Sequence, residues 1–448
     1  MSTSQLALVA ASLCILIAPT RGTAWRSSIR SPYYWWVMAA FGVPGAVRVL
    51  GLTETEAVVL DDLSVFLRFA PMLALGIAIG VSNIFHGHLY GSHLLLLLVV
   101  TIPIAYVIDG FSLMPIVAGL AFLPALAASK GRVPVELLVA GLGHSLKLIS
   151  VPLILFGITG SVLGTCRMDK CSVWGQQLGT MGAGNALGLL VAVLAFAGVY
   201  TARSNFWAVA NLIGTLLLVD LSSSRSGLVV WVFAVGAGAL LRLTESVALT
   251  VRIRLMAAAL TVAVAGAVAV AVTPWSPSAF TLRGILWLRA QDLIADNVLL
   301  GVGSSFWVRQ PYTTAMRPNY ATHNIVLESM LSFGLLGTVA LVLALIAAIL
   351  RADLQSRLIG LAIAVIWVAG GIAEVPSAPG RLYLVPGLLP LLFVILNNPR
   401  AAKVTMHLPQ SAATSSDSQF RRGSLASTGK LALRGQGGTP EVTQWSKR

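Results

Sequence analysis

Charged residues are scarce in this chain, and their scarcity excludes an ordinary soluble protein. Asp, Glu, Lys and Arg make up 10% of the 448 residues, whereas a soluble globular domain carries about 25%. Hydrophobic residues make up 57% and recur in runs near the ~20 residues that cross a bilayer as a helix. Because backbone polar groups in lipid must be satisfied within the spanning segment, the composition predicts an all-α polytopic integral membrane protein.

A change in composition along the chain predicts two regions. Residues 1–397 form the predicted transmembrane domain, with about 12–13 helices by hydropathy. Residues 398–448 have few large apolar side chains, which predicts a disordered, basic cytoplasmic tail. The predicted spans are 5–19, 33–50, 64–82, 92–109, 112–128, 135–159, 185–200, 205–221, 227–241, 253–273, 325–350, 358–373 and 382–397.

Acidic residues are also few, and the excess of basic residues predicts an orientation. The chain has 30 Lys and Arg against 16 Asp and Glu, a net charge of +14. When residues 274–324 are assigned to the outside, most of the basic residues fall on the inner side, as the positive-inside rule expects. No basic patch carries interleaved aromatic residues, so the charge is attributed to topology and anionic lipid rather than to nucleic acid.

Cysteine is rare as well, with three in the chain. Cys14 lies in an apolar span and is predicted to serve packing alone. Cys166 and Cys171 share one external loop, where an oxidising compartment permits a disulfide, and two free thiols are the alternative. No further ligand lies nearby in sequence, which disfavours a zinc site.

The longest polar stretch between apolar spans is the loop 274–324, predicted to lie outside the membrane. Within it, Thr281–Asn297 predicts an amphipathic helix with one apolar stripe. Trp287 suits a helix at the membrane–water interface. Gly301 and Gly303 form a turn where the backbone can approach a ligand closely, although the strand–turn–helix setting of a nucleotide fingerprint is missing.

Several arginines beside the predicted membrane surface suit an anionic ligand. Arg225 lies in SSSRSG at the start of a span, where its guanidinium and the helix N–H groups could converge on one anion. Arg283 and Arg289 lie in the predicted amphipathic helix, and a guanidinium matches the oxygens of a phosphate. Arg309 and Arg317, further along the loop, are instead expected to contact lipid headgroups.

His323 is the only histidine in this loop, and Asn324 follows it at the start of the next span. A histidine can accept a proton near neutral pH, which makes His323 a candidate general base. A solvated residue at a helix start is the alternative interpretation. Glu328, about one turn further, is expected either to orient the imidazole or to face a polar cavity.

Three motifs in this order resemble the O-antigen ligase/polymerase family. They are SSSRSG, then RGILWLRAQDLIADNVLLGVGSSFW beginning at Arg283, then THNIVLESMLSFGLLG beginning at Thr322. The resemblance covers residues 219–345, while the N-terminal spans agree in hydropathy alone. Val298 stands where the family often has proline, and GVGSSFW is most similar to the exopolysaccharide polymerase branch.

The resemblance implies a membrane glycosyltransferase that needs no metal or other cofactor, on the outer side of the bacterial cytoplasmic membrane. The donor would be a glycan carried on undecaprenyl diphosphate. The acceptor would be a sugar hydroxyl, of another lipid-linked unit in a polymerase, or of a lipid or cell-wall glycan in a ligase. Membrane lipids and a chain-length regulator are further expected partners.

The resemblance also implies roles for the matching residues. Arg225 and Arg283 would bind the diphosphate and neutralise it as it departs. His323 would contact the diphosphate or take the proton of the acceptor. The further substrate contacts expected from this region are Arg289, Trp287, Gly301, Gly303 and Asn324.

Two rival interpretations stay open. The first external loop could support a metal-dependent transferase, although an acidic external loop is also what the topology expects; its acidic residues are Glu54, Glu56, Asp61 and Asp62. A transporter or flippase for lipid-linked glycans is the non-enzymatic alternative. That function favours internal symmetry and charged residues within the spans, and the sequence shows no internal repeat.

Overall fold

A computed structural model describes most of the first 397 residues. The residues it describes are 1–21, 29–51, 61–85, 92–110, 113–126, 133–166, 171–179, 183–307, 322–377, 380, 382 and 384–397. All of them belong to one compact unit, Met1–Ala401. The tail predicted over residues 398–448 lies outside the described residues.

Helices account for nearly all the regular structure of the described residues. A π-helical stretch, Met38–Gly42, joins the helices Pro32–Val37 and Val43–Gly51. Two short antiparallel strands, β1 (Leu163–Gly164) and β2 (Gln177–Leu178), form the one hairpin in the described part of the chain. In chain order the helices are α1 (Thr3–Ile17), α2 (Pro32–Val37), α3 (Val43–Gly51), α4 (Asp61–Phe85), α5 (Ser92–Ile108), α6 (Met114–Leu120), α7 (Leu123–Leu126), α8 (Val135–Thr159), α9 (Ala183–Tyr200), α10 (Asn205–Leu221), α11 (Arg225–Leu243), α12 (Leu249–Val272), α13 (Ala279–Asp296), α14 (Ile325–Arg351), α15 (Leu354–Gly370) and α16 (Leu388–Leu396).

Five helices in the described part of the chain are long and apolar enough to cross a membrane. They confirm the predicted class, an all-α membrane protein. The five are Arg68–Phe85, Val135–Thr159, Arg225–Leu243, Leu249–Val272 and Ile325–Arg351, and the shorter apolar helices are Thr3–Ile17, Gly184–Tyr200, Asn205–Leu221 and Leu354–Gly370.

Two of the predicted spans differ from the observed helices, and proline lies at both. The span predicted over 112–128 divides into α6 and α7, with Pro124 at the second position of α7. The span predicted over 382–397 contains only the nine residues of α16, which begins after Pro386. Because proline lacks the N–H and clashes with the preceding turn, it starts a helix more readily than it continues one.

Helices α9 and α15 form the centre of the bundle. Residues 189–197 of α9 are buried on every face, and α9 packs against α8, α10 and α11. Helix α15 is buried along nearly its whole length between α12 and α16. A helix that is apolar all round is one surrounded by other helices or lipid, so these two helices hold the others in place.

Basic residues gather at the end of the bundle where α11 finishes. Arg242 is buried there, and its guanidinium donates to the Ala202 carbonyl at 2.6 Å and to Asn205 Oδ1 at 3.0 Å. Arg21 forms an ion pair with Glu245 nearby. Arg225 begins α11 and therefore lies at the opposite end of that helix.

Cys166 and Cys171 are disulfide-bonded, with their Cα atoms 5.0 Å apart. The bond joins two residues within the connection between β1 and β2, so the structure selects the disulfide over two free thiols. Cys14 is a free cysteine and is partly buried.

Candidate functional site

The start of α11 carries Arg225 on a capped turn. Ser224 precedes the helix, and its hydroxyl accepts a hydrogen bond from the Gly227 N–H at 3.0 Å, which satisfies one of the unpaired donors of the first turn. Arg225 is exposed, whereas Ser226 beside it is buried. This turn therefore presents a cation outward and a hydroxyl inward.

Helix α13 carries Arg283 close to its first turn. The predicted helix is confirmed, with observed bounds Ala279–Asp296, and its buried side chains include Leu286, Trp287 and Ala290. Gly284 lets the helix lie directly on the preceding backbone, because a Cβ there would overlap the Ser276 carbonyl. The Arg283 side chain is 23% exposed, so it can meet a ligand from solvent.

Asn324 anchors the start of α14 and is completely buried. Its Oδ1 accepts hydrogen bonds from the N–H groups of Val326 and Leu327 at 3.0 and 3.1 Å, which makes it the N-cap. Its Nδ2 donates to the carbonyls of Ala267 at 3.0 Å and Ile372 at 3.3 Å. Both ends of the amide are occupied by the fold, so substrate contact by Asn324 stays a prediction without a described contact to support it.

Glu328 is buried beneath the start of α14 and holds Thr322. Its Oε2 accepts from both the N–H and the hydroxyl of Thr322 at 3.0 Å. Thr322 and Asn324 flank His323, so these two anchors determine where the imidazole emerges from the chain. The Glu374 carboxylate lies at hydrogen-bond distance from the His323 ring.

Glu374 lies at the centre of the site, in the segment that follows α15. Its Oε1 is 2.5 Å from His323 Nδ1, and its Oε2 accepts from Arg283 Nη2 at 3.2 Å and from the Ser226 hydroxyl at 3.4 Å. The Glu374 side chain is 1% exposed. We refer to Glu374, His323, Arg283 and Ser226 as the Glu374 cluster, which joins the starts of three helices at one end of the bundle.

Backbone strain is concentrated around this cluster. Among the residues that the structure describes, three other than glycine adopt a positive φ: Ser223 at 52°, Phe280 at 50° and His323 at 55°. Each such conformation costs about 1–3 kcal/mol. Ser223 precedes the cap of α11, and Phe280 lies one turn before Arg283. Strain of this kind clusters at functional sites, so its position supports a role beyond packing.

The electrostatics of the cluster keep Glu374 ionised. Burial alone would raise the pKa of the Glu374 carboxyl, but the charge and hydrogen bond of His323 and the charge of Arg283 outweigh burial and hold that pKa below its usual 4.5. Arg225, next to Ser226 in the chain, adds a second fixed positive charge beside the cluster. Two permanently charged arginines thus stand at this end of the bundle with the buried carboxylates of Glu374 and Glu328, and the more exposed charges are those of the arginines.

The contact between Glu374 and His323 also selects a tautomer. An ionised carboxylate can only accept, so the proton of a neutral imidazole lies on Nδ1, and Nε2 carries the lone pair. A histidine held in this way can take a proton at Nε2 from a bound hydroxyl group. The imidazole is 11% exposed, which allows contact with a ligand.

Trp287 and Arg289 occupy different faces of α13. Trp287 was expected at the membrane surface, but it is 1% exposed, because its ring packs against Trp275 and Phe280 with centroids 5.6 and 5.3 Å away. Arg289 is exposed and makes no hydrogen bond or ion pair within the described ranges. Neither residue contacts Glu374, so their binding of substrate stays a prediction.

Gly301 and Gly303 make close approaches to the chain itself. Gly301 has φ 72°, and a Cβ there would overlap the Leu331 carbonyl. Gly303 has φ 97°, and a Cβ there would overlap the Asp109 carboxylate, which also accepts from the Ser304 hydroxyl at 2.8 Å. The glycines are needed for packing of the loop, and substrate contact by them stays a prediction.

The part of the chain that the structure describes contains no group of three His, Cys, Asp or Glu side chains that could hold a metal ion. Several residues named in the sequence analysis lie outside the described residues. They are Glu54 and Glu56, the side chains of Asp61 and Asp62, and the loop residues Arg309 and Arg317.

The sequence did not single out Glu374. The signal was weak: one carboxylate that directly follows an apolar helix, shortly before Pro376, in a chain with only 16 acidic residues. A charged residue in that place is equally consistent with the solvated end of a membrane-spanning helix. Its partners lie 51 and 91 residues away in sequence, so packing alone reveals its importance.

No protein-family model and no curated protein sequence matches this chain. The choice of a function therefore depends on the order of the motifs and on the contacts of the Glu374 cluster.

Proposed function

We propose that this protein is a membrane glycosyltransferase that polymerises glycan units carried on undecaprenyl diphosphate. The observation that carries the proposal is the buried Glu374, which joins His323 to Arg283 where Arg225 begins α11. This transfer needs a general base, oriented here by a carboxylate, and fixed cations that stabilise the leaving group. The motif order over residues 219–345 supports the choice of donor.

The proposal includes a location and a topology. The site faces outward from the bacterial cytoplasmic membrane, the C-terminus is cytoplasmic, and residues 1–397 contain about 12–13 spans with the loop 274–324 outside. The gathering of Arg21 and Arg242 at the end opposite the Glu374 cluster supports this orientation. The outer face is also where a flipped, lipid-linked glycan is available as donor.

Donor binding is assigned to the two arginines. A guanidinium stays charged at every physiological pH and donates in a fork that fits phosphate oxygens. Arg225 and Arg283 come from separate helices and can contact different phosphates of one diphosphate. Arg283 is held by Glu374 at 3.2 Å and keeps its remaining donors for the ligand.

The transfer step follows from these positions. The hydroxyl oxygen of the acceptor attacks the anomeric carbon, and the bond from that carbon to the diphosphate oxygen breaks. The electron pair leaves with undecaprenyl diphosphate, whose charge Arg225 and Arg283 stabilise. The acceptor proton passes to His323 Nε2, while Glu374 stabilises the imidazolium. Fixed guanidinium charges supply the stabilisation that a metal would otherwise give, so we propose a metal-independent reaction.

A reconstituted reaction tests this proposal. The purified full-length chain in detergent is incubated with an undecaprenyl-diphosphate oligosaccharide in excess EDTA. We expect longer lipid-linked glycans together with released undecaprenyl diphosphate. His323→Ala should lose both products, whereas Asp292→Ala, a change on the exposed part of α13 with no role in the Glu374 cluster, should retain them.

Different outcomes distinguish the rival functions. Transfer to a lipid or cell-wall glycan, with no elongation of the lipid-linked unit, supports a ligase. Activity that disappears in EDTA and returns with Mg²⁺ supports a metal-dependent transferase. An effect seen only in sealed vesicles, as movement of the donor between leaflets without a new glycosidic bond, supports a flippase and contradicts the proposal.

A further inference from the structure

Helix α14 is broken at Gly334. Within Ile325–Arg351 this residue has φ 61° and ψ −165°, far from helical values. A broken helix leaves N–H and C=O groups unpaired on both sides of the break, which costs several kcal/mol per group in hydrocarbon. Such a break in a membrane-crossing helix therefore needs partners from elsewhere in the protein.

The turn 297–303, which follows α13, supplies those partners. The Leu335 and Leu336 N–H groups donate to the carbonyls of Val298 at 2.8 Å and Leu299 at 3.3 Å, and the Val302 N–H donates to the Leu331 carbonyl at 2.7 Å. The turn closes on itself as well, since the Gly301 N–H donates to the Asn297 carbonyl at 2.9 Å. These bonds satisfy the Asn297, Val298 and Leu299 carbonyls and the Gly301 and Val302 N–H groups without water, which lowers the cost of placing the turn in lipid.

The tip of this turn is apolar and exposed. Val298, Leu299 and Leu300 are 44%, 61% and 45% exposed. They lie beside Leu335 and Leu336, the first of a series of exposed apolar residues on α14 that continues to Leu350. The exposed members of that series are Leu335, Leu336, Val339, Val342, Leu343, Ile346 and Leu350.

The length of α14 gives the depth of the tip. The helix ends at Arg351, and from Leu335 to Arg351 it rises about 24 Å at ~1.5 Å per residue. The hydrocarbon core of a bilayer is about 30 Å thick. With Arg351 at one surface of that core, Leu335 and the adjoining tip lie roughly 6 Å below the other surface, within the usual insertion depth of interfacial segments of about 5–10 Å.

We infer that the turn 297–303 is inserted into one leaflet of the bilayer, where Val298, Leu299 and Leu300 contact the lipid acyl chains. The loop 274–324 is therefore not wholly external, as its overall polarity had indicated. The inserted turn forms hydrogen bonds with the backbone on both sides of the break in α14. It therefore connects α13, which carries Arg283, to the helix that begins after His323. This inference does not depend on the proposed glycosyltransferase activity.

Spin labels on the full-length chain test the depth of the tip. Leu299→Cys is made in a Cys14→Ala background, leaving the Cys166–Cys171 disulfide intact, and is labelled with a nitroxide in phosphatidylcholine vesicles. Relaxation by oxygen and by a water-soluble nickel complex is compared. We expect an oxygen-to-nickel ratio several-fold higher than at Asp292→Cys, on the exposed part of α13, and lower than at Val339→Cys, which lies about 6 Å deeper along α14.

Three results would overturn the inference. A ratio at Leu299→Cys equal to that at Asp292→Cys would place the tip in water. Low accessibility to both reagents would mean that protein covers the tip. Dipolar broadening between labels would identify a second copy of the chain as the occupant. If Leu299→Cys does not fold, Leu300→Cys gives the same comparison.

Discussion

Replacing Glu374 with glutamine removes a buried negative charge and changes the side-chain volume very little. The amide keeps one oxygen, but its other polar atom is a donor. Facing His323 Nδ1, where the carboxylate oxygen now lies at 2.5 Å, that donor favours the tautomer with the proton on Nε2. The lone pair that should receive the acceptor proton then lies on Nδ1, where it faces the new amide and not the substrate.

Two contributions decide the size of the effect. A general base is worth about 10²–10⁴-fold in rate, and loss of the orienting carboxylate in a serine protease triad costs about 10⁴-fold. Weakening the Arg283 contact costs less, about 0–1 kcal/mol by comparison with exposed pairs, since the Arg283 side chain is 23% exposed and water can replace the carboxylate. We therefore expect kcat/KM to fall about 10²–10⁴-fold, roughly 3–5 kcal/mol in the barrier.

The assay follows release of undecaprenyl diphosphate by the purified chain under initial-rate conditions. Ser226→Ala is the matched control, because it removes a weaker contact to the same carboxylate, at 3.4 Å. A hydrogen bond of net worth about 0.5–1.5 kcal/mol limits its effect to roughly tenfold or less. Thermal unfolding of each variant in detergent separates loss of the fold from loss of the base.

A folded Glu374→Gln variant with activity close to the unmodified protein would refute the reasoning. In that case Glu374 is a packing element, and His323 either contacts the diphosphate or is not used. Equal losses from Glu374→Gln and Ser226→Ala would also count against the tautomer argument, because only the former changes the group that faces His323.

Three further predictions follow from the same contacts. Arg283→Lys should lower kcat/KM by about 10²-fold or more, the loss seen when one fixed donor to a developing anion is removed, since an ammonium cannot present the guanidinium fork; steady-state kinetics checks this. Because the pKa of Glu374 is lower in the folded protein than in the unfolded chain, the ionised carboxylate stabilises the fold above about pH 4.5. This stability is lost as the pH falls through the folded-state pKa, so the melting temperature should drop on acidification. Glu374→Gln should make the melting temperature less dependent on pH. Gly301→Ala should destabilise the fold by roughly 2–3 kcal/mol, because Gly301 has φ 72° and a Cβ there would overlap the Leu331 carbonyl. The measurement is the melting temperature, which should be lower than that of the control Gly236→Ala, where a Cβ meets nothing within 4 Å.

Local pattern was sufficient for the class of fold and for several elements. Apolar runs of bilayer length predict membrane helices because each helix satisfies its own backbone, and α13 was predicted within two residues of its observed start. The spans at 112–128 and 382–397 were predicted as continuous because hydropathy does not register the helix breaks at Pro124 and Pro386. Hydropathy averages over a window, whereas a single proline acts at one position.

The motif arginines and His323 could be selected from sequence because their order along the chain resembles that of one family. The partners of Asn324, Gly301 and Gly303 could not, because all three residues are of types that suit either a ligand or a tight backbone contact. Only the packed structure distinguishes these uses. It shows Asn324 bonded at both ends of its amide and Gly301 against α14.

By itself, the sequence determined that this is a helical membrane protein with a polar, arginine-bearing segment, since composition and periodicity are local properties. The tertiary structure alone decided that Glu374 lies between His323 and Arg283, which are 51 and 91 residues away along the chain. It also decided that the turn 297–303 forms hydrogen bonds with the backbone on both sides of the break at Gly334. Contacts at such separations depend on how helices pack, and the burial that makes a carboxylate hold an imidazole exists only once they have packed.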